Sequence, residues 1–314
     1  MRDPIERLER GDILILDGAT GTEVQRRGAR MDDLAWCATS VITSPEIVRE
    51  THMDYIHAGA DIITANTFAA ARHVLSPAGL GDDTAMVNHR AMTLAKEARE
   101  AAADRPVAIA GSMSSMVAGV DLAHRPSLEE ARASYREQAG LLVEAGSDLL
   151  LLEMMFDIDH ASAAVAEAAA TGLPVWVGFS CRIAPDGRVR MFREAHSDPH
   201  SDPEFEEVIG KVMACGGSVA GVMHTEIAHM TSSLEVLFAH WRGPVMAYAE
   251  SGDVGMPIEW GFSDLVSPAE YARIAQGWVA MGAQIVGGCC GLGVEHVRGL
   301  KDGLPIHLPD RARS

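Results

Sequence analysis

The chemistry in this chain is concentrated in a few soft and acidic side chains. Cys289 and Cys290 are adjacent and lie between Gly287-Gly288 and Gly291. Thiolates are ligands that zinc prefers, and flanking glycines allow the backbone turn that lets neighbouring side chains face one ion. A catalytic zinc takes about three protein ligands and keeps one position open, so a further donor is needed. His224 offers a neutral nitrogen of the right kind. The predicted metal set is therefore His224, Cys289 and Cys290, with Zn2+ as the expected cofactor. Each has a plainer account when taken singly: adjacent thiols also pack in cores, and a lone histidine is often structural.

Two acidic positions complete the set. Asp17-Gly18-Ala19-Thr20-Gly21-Thr22 is a run of small residues whose backbone N–H groups can present themselves to an anion such as a carboxylate. It lacks the Gly-Lys-Ser/Thr ending of a phosphate-binding loop, and a simple Asp-Gly turn is the competing account. Glu153 ends the apolar run Asp148-Leu149-Leu150-Leu151-Leu152, where an ionised carboxylate needs a partner or an open cavity. A ligand ammonium group would serve, as would a neighbouring arginine. Trp36 can either pack or offer its ring face to a cationic ligand.

Something must bring these scattered residues together. Eight short apolar runs bounded by turn residues read as buried strands: 13–16, 61–66, 106–111, 148–153, 174–180, 218–223, 244–250 and 283–288. Segments with helical spacing lie between most of them, at 45–58, 84–103, 127–145, 158–170, 203–214 and 268–281. Several open on a start signal: Ser44-Pro45, Ser127 with Glu130, and Ser267-Pro268 with Glu270. Strands alternating with helices imply a parallel sheet, and eight of them favour a closed TIM barrel spanning residues 1–314 as a single domain. Two irregular stretches, 111–126 and 181–203, follow strand ends. Barrel sites are built from the loops at the C-terminal ends of strands. There the sequence places Asp17, Asn66, Ser112, Glu153, Ser180, His224, Glu250 and Cys289-Cys290. On two strand ends facing one mouth, His224 and the cysteine pair favour the metal over the plainer accounts.

Composition narrows the partners. Lys plus Arg number 26 against 44 Asp plus Glu, a net charge of -18, which repels phosphate backbones and anionic lipid surfaces. Small-molecule substrates are expected, with no nucleic acid and no membrane. The charged start, Met1 to Arg7, does not read as a secretory signal, and no apolar stretch approaches the ~18 residues of a bilayer span, so a cytoplasmic location is expected. Five cysteines in this pattern do not read as a disulfide framework. Oligomeric state leaves no mark in the sequence.

The chain resembles the homocysteine S-methyltransferase family. The markers are Leu16-Asp17-Gly18-Ala19-Thr20-Gly21-Thr22-Glu23, Trp36, the stretch from Ala58 to Phe68 that includes Asn66, Leu151-Leu152-Glu153, and Gly287-Gly288-Cys289-Cys290-Gly291. The resemblance implies transfer of a methyl group from a sulfonium or quaternary ammonium donor, S-methylmethionine-like or betaine-like, to the zinc-bound thiol of homocysteine or a similar acceptor. It implies that Asp17 and Glu153 hold the substrate amino group and are the residues on which catalysis depends. It implies that the backbone of Gly18, Ala19 and Thr20 receives the carboxylate, and that Cys289 and Cys290 are zinc ligands. Trp36 and Asn66 complete the expected substrate site. One position departs from the pattern: the family usually carries a cysteine after the sixth strand, and this chain reads Gly221-Val222-Met223-His224. An imidazole there removes one negative charge from the ligand set. Cobalamin and folate are not expected. The competing functions are a zinc hydrolase working through metal-activated water, and a non-catalytic thiol- or metal-binding protein.

Overall fold

The structure is a computed structural model that describes residues 4–192, 202–252 and 261–309. Eight parallel strands run β1 (Leu14–Ile15), β2 (Ile62–Thr64), β3 (Ala108–Ser114), β4 (Leu149–Met155), β5 (Val175–Ile183), β7 (Val219–Glu226), β8 (Val245–Glu250) and β9 (Ile285–Val286). The short strand β6 (Val189–Met191) pairs antiparallel with β5 outside this path. Neighbours follow the order β1-β9-β8-β7-β5-β4-β3-β2, and a parallel bridge between Leu16 and Ile62 joins the two ends. The result is the closed β/α barrel expected from the alternation.

The apolar runs are continuous because each strand is covered on both faces. In β4, Leu149 and Leu151 pack with Leu14, Leu16, Ile62, Trp176 and Ile285 in the barrel interior. Leu150 and Leu152 point the other way, into a cluster with helix residues such as Ala161, Ala164 and Ala168. All four leucines are buried, each removing side-chain surface from water at ~1.5–3 kcal/mol.

The helix signals act as read. Pro45–Ala58 and Pro268–Met281 have the expected bounds. Ser127 and Glu130 form a reciprocal capping box ahead of Leu128–Glu144, and Ser267 accepts from the Glu270 backbone N–H. Ser44 makes no side-chain cap, so that start rests on Pro45. Ile227–His240 is a helix that the sequence signals do not announce, since Glu226 before it makes no side-chain cap. The stretch after β5 is not wholly irregular. It turns back into the β5/β6 hairpin, with Cys181 opposite Met191, while residues 193–201 lie outside the described residues. β3 likewise continues three residues beyond Gly111, to Ser114. Among the described residues, no helix is long and apolar enough to cross a membrane.

Candidate metal and substrate site

One cavity opens at the C-terminal end of the strands and encloses about 1020 Å³, part of it open to solvent. Asp17, Gly18, Ala19, Thr20, Trp36, Asn66, Glu153, His224, Cys289 and Cys290 all line it. Ser112 does so too, whereas Ser180 and Glu250 stand behind the wall.

On one side, the ligand atoms of His224, Cys289 and Cys290 all lie within 4.8 Å of one another. The two sulfurs are 4.0 Å apart, close to the ~3.8 Å that tetrahedral zinc with ~2.3 Å Zn–S bonds imposes. Contact with Cys290 draws the Cys289 thiol well below its ordinary pKa, against the opposing effect of burial, and His224 adds to the lowering. Gly291 makes the turn possible. Its φ is +79°, and a Cβ there would lie 1.8 Å from the Ser251 carbonyl oxygen. Cys215, just beyond Phe205–Met213, is not part of the group.

Local irregularity in the strands places these side chains. β7 carries one extra residue relative to β8 between Met223 and Glu226, a β-bulge that breaks the alternation where His224 sits. His224 has φ +43°, and its carbonyl accepts from the Ser180 hydroxyl at 2.8 Å. β4 has a matching bulge between Leu152 and Met155, with Met154 at φ +55°. The backbone N–H of Met154 meets the Met223 sulfur at 3.0 Å, which ties the two bulges together. Non-glycine residues at positive φ cost free energy and persist only where the surroundings enforce them.

The other side of the cavity is acidic. Asp17 accepts from the Thr64 backbone N–H at 2.6 Å and from its hydroxyl at 2.7 Å. Burial nevertheless raises its carboxyl to about 7. Glu153 accepts from the Ser112 hydroxyl, and burial, reinforced by the nearby Cys289 and Asp17, raises it to about 8. Among the described residues neither carboxyl has an ion-pair partner, so the arginine considered for Glu153 is absent from the set of salt bridges. Tyr248 also faces Glu153, and its own hydroxyl is held protonated by burial and by that carboxyl.

The rim is aromatic and thioether-rich. Trp36 and Phe68 meet edge to face at 5.8 Å, and Met116 and Met154 line the same opening. Asn66 holds this rim from below. Its amide donates to the Cys37 carbonyl at 3.0 Å and to the Ser40 hydroxyl at 2.9 Å, and its carbonyl faces the Cys37 thiol at 3.1 Å.

The profile of the family described as homocysteine S-methyltransferase matches residues 14–304. The chain belongs to the homocysteine S-methyltransferase family. It is accordingly a methyltransferase enzyme of that group. Among relatives, it is 29% identical to the homocysteine S-methyltransferase of Escherichia coli strain K12, over 90% of this chain and 92% of that one. It is 26% identical to the selenocysteine methyltransferase of Astragalus bisulcatus, covering 92% of each. A crystal structure of the E. coli homocysteine methyltransferase MmuM in its metallated form superposes with a TM-score of 0.73 at 25% identity, covering 94% of this chain and 97% of that one.

Proposed function

We propose that this enzyme moves a methyl group from a sulfonium or quaternary ammonium donor to the thiol of homocysteine or a closely similar amino-acid thiol, giving methionine or its analogue. The observation that carries the proposal is the pairing, in one cavity, of three converging nitrogen and sulfur ligands with two buried carboxyls that have no ion-pair partner among the described residues. An amino-acid thiol has both complements: sulfur for the metal and ammonium for the acids.

His224, Cys289 and Cys290 would hold the metal, and the N/S donor set suits zinc. Zinc bound there supplies a Lewis acid that favours the thiolate form of a thiol otherwise mostly protonated below its pKa of ~8.5. Asp17 and Glu153 bind the substrate ammonium. The backbone of Gly18, Ala19 and Thr20, where the helix Thr20–Arg26 begins, receives the carboxylate. The amino acid is thereby held at both ends, with its sulfur directed to the metal side. Trp36 and Phe68 offer ring faces to the donor cation at the rim. The substrate sulfur attacks the methyl carbon in line, a new C–S bond forms, and the donor leaves as a neutral sulfide or amine. A neutral leaving group needs no strong general acid, so orientation in the cavity carries much of the rate.

Hydrolysis by metal-activated water is disfavoured by the same geometry. Its base would have to be Glu153 or Glu250, but Glu153 lies against Ser112 and Glu250 is turned onto His224. The test is metal analysis of the purified protein and of His224→Ala, followed by incubation with homocysteine and a donor panel. Zinc in the wild type and methionine from at least one donor are expected. Zinc-free protein, or no methionine with S-methylmethionine, other sulfonium compounds or betaine, would overturn the proposal.

A further inference from the structure

We propose that Glu250 is a positioning residue for the metal site: it orients the His224 ring so that Nε2 faces the ion, and supplies beside the imidazole the negative charge that a third thiolate would carry. The inference rests on the metal reading above.

Glu250 ends β8, is 3% exposed, and does not line the cavity. Its Oε2 lies 2.7 Å from His224 Nδ1. Among the described residues, no lysine or arginine comes within ion-pair distance of it. The same oxygen has no aligned hydrogen-bond donor, although it is buried. A buried carboxylate oxygen is costly without a donor. The nearest donor is Nδ1 itself, 2.7 Å away and needing only a small turn of the ring or carboxylate to align, and a proton held there leaves the Nε2 lone pair to a metal. The backbone enforces the encounter. The bulge in β7 brings the His224 segment opposite the end of β8, where Glu226 pairs with Glu250, and the Ser180 hydroxyl holds the His224 carbonyl. Phe192 stacks on the ring at a centroid distance of 6.2 Å.

Histidine and glutamate thus make sense as a pair. A thiolate at 224 would face Glu250 as a like charge, whereas an imidazole N–H faces it as a donor. The ligand set loses a charge through His224 and regains it one residue behind.

Zinc affinity, measured by chelator competition, and the visible spectrum of the Co(II)-loaded protein test this without any turnover. Glu250→Ala is expected to weaken zinc 10–100-fold and to alter the Co(II) bands. Glu250→Gln, whose amide oxygen still accepts from Nδ1, is expected to recover most of that loss. In a His224→Cys background, Glu250→Gln is expected to strengthen zinc binding rather than weaken it. If Glu250→Ala does not fold, the Gln variant in the two backgrounds decides: opposite signs support the proposal, and equal losses overturn it as a merely structural effect. Glu250→Ala with wild-type affinity and an unchanged Co(II) spectrum overturns this inference alone. A wild-type protein that takes up no zinc overturns it together with the metal reading.

Discussion

Asp17 and Glu153, buried carboxyls without an ion-pair partner among the described residues, make ligand binding depend on pH, in a direction that the structure specifies. Burial holds Glu153 protonated up to about 8, yet it must ionise to pair with an ammonium group. Affinity then scales with the ionised fraction, about one half at pH 8 and about one hundredth at pH 6. Through Glu153 alone the dissociation constant should therefore rise ~50-fold over that interval, or ~2.3 kcal/mol, and Asp17 adds to that rise. Methionine is the right probe, because its thioether has no proton to lose and its amino group stays charged throughout. Titration calorimetry in buffers of different ionisation enthalpy should find roughly 1.4 protons released per methionine bound at pH 7, ~0.9 from Glu153 and ~0.5 from Asp17. Glu153→Gln should bind more weakly at pH 8, lose most of the proton release, and leave only the shallower dependence that Asp17, raised to about 7, imposes. Methionine affinity that is flat from pH 6 to 8 in the wild type would refute the reasoning.

Other outcomes follow from named contacts. The folded Glu153 carboxyl keeps its proton far above the ~4.3 of an unfolded chain, so its contribution makes the ligand-free fold less stable as pH rises from 5 to 8. Thermal melts should accordingly show Glu153→Gln gaining on the wild type across that window. Gly291→Ala, forced against the Ser251 carbonyl at positive φ, should cost at least ~1–3 kcal/mol in urea melts and lower the zinc content. Asn66→Ala breaks the amide contacts to Cys37 and Ser40 and should cost ~2 kcal/mol, with the donor KM rising as Trp36 loosens. Dialysis against a strong chelator should abolish methyl transfer, and zinc should restore it.

The barrel and the residues of its mouth were legible because they depend on residue type and period. Apolar runs such as Leu149 to Leu152, caps such as Ser127 with Glu130, and soft ligands such as Cys289 carry their signals locally. What was not legible is set by partners distant in sequence. A bulge adds one residue to a strand without changing composition, so alternation cannot say that His224 and Met154 sit at positive φ with their strands re-aimed. Asn66 reads as a ligand-facing polar residue, but its amide is engaged by a segment that only the tertiary fold brings beside it. Glu250 reads as one more acid at a strand end. Its meaning comes from the 2.7 Å approach to a histidine on the neighbouring strand.

Closure of the barrel is thinnest between β1 and β2. Among the described residues a single bridge, Leu16–Ile62, joins them, with Asp61 bonded to the Ile15 backbone beside it, and Asp17 fastens the joint by accepting from Thr64 through both carboxylate oxygens. That same carboxylate faces the cavity. Whatever arrives there pulls on the stitch that keeps the cylinder shut, so deuterium uptake at the Thr64 amide should register an occupant even when nothing reacts.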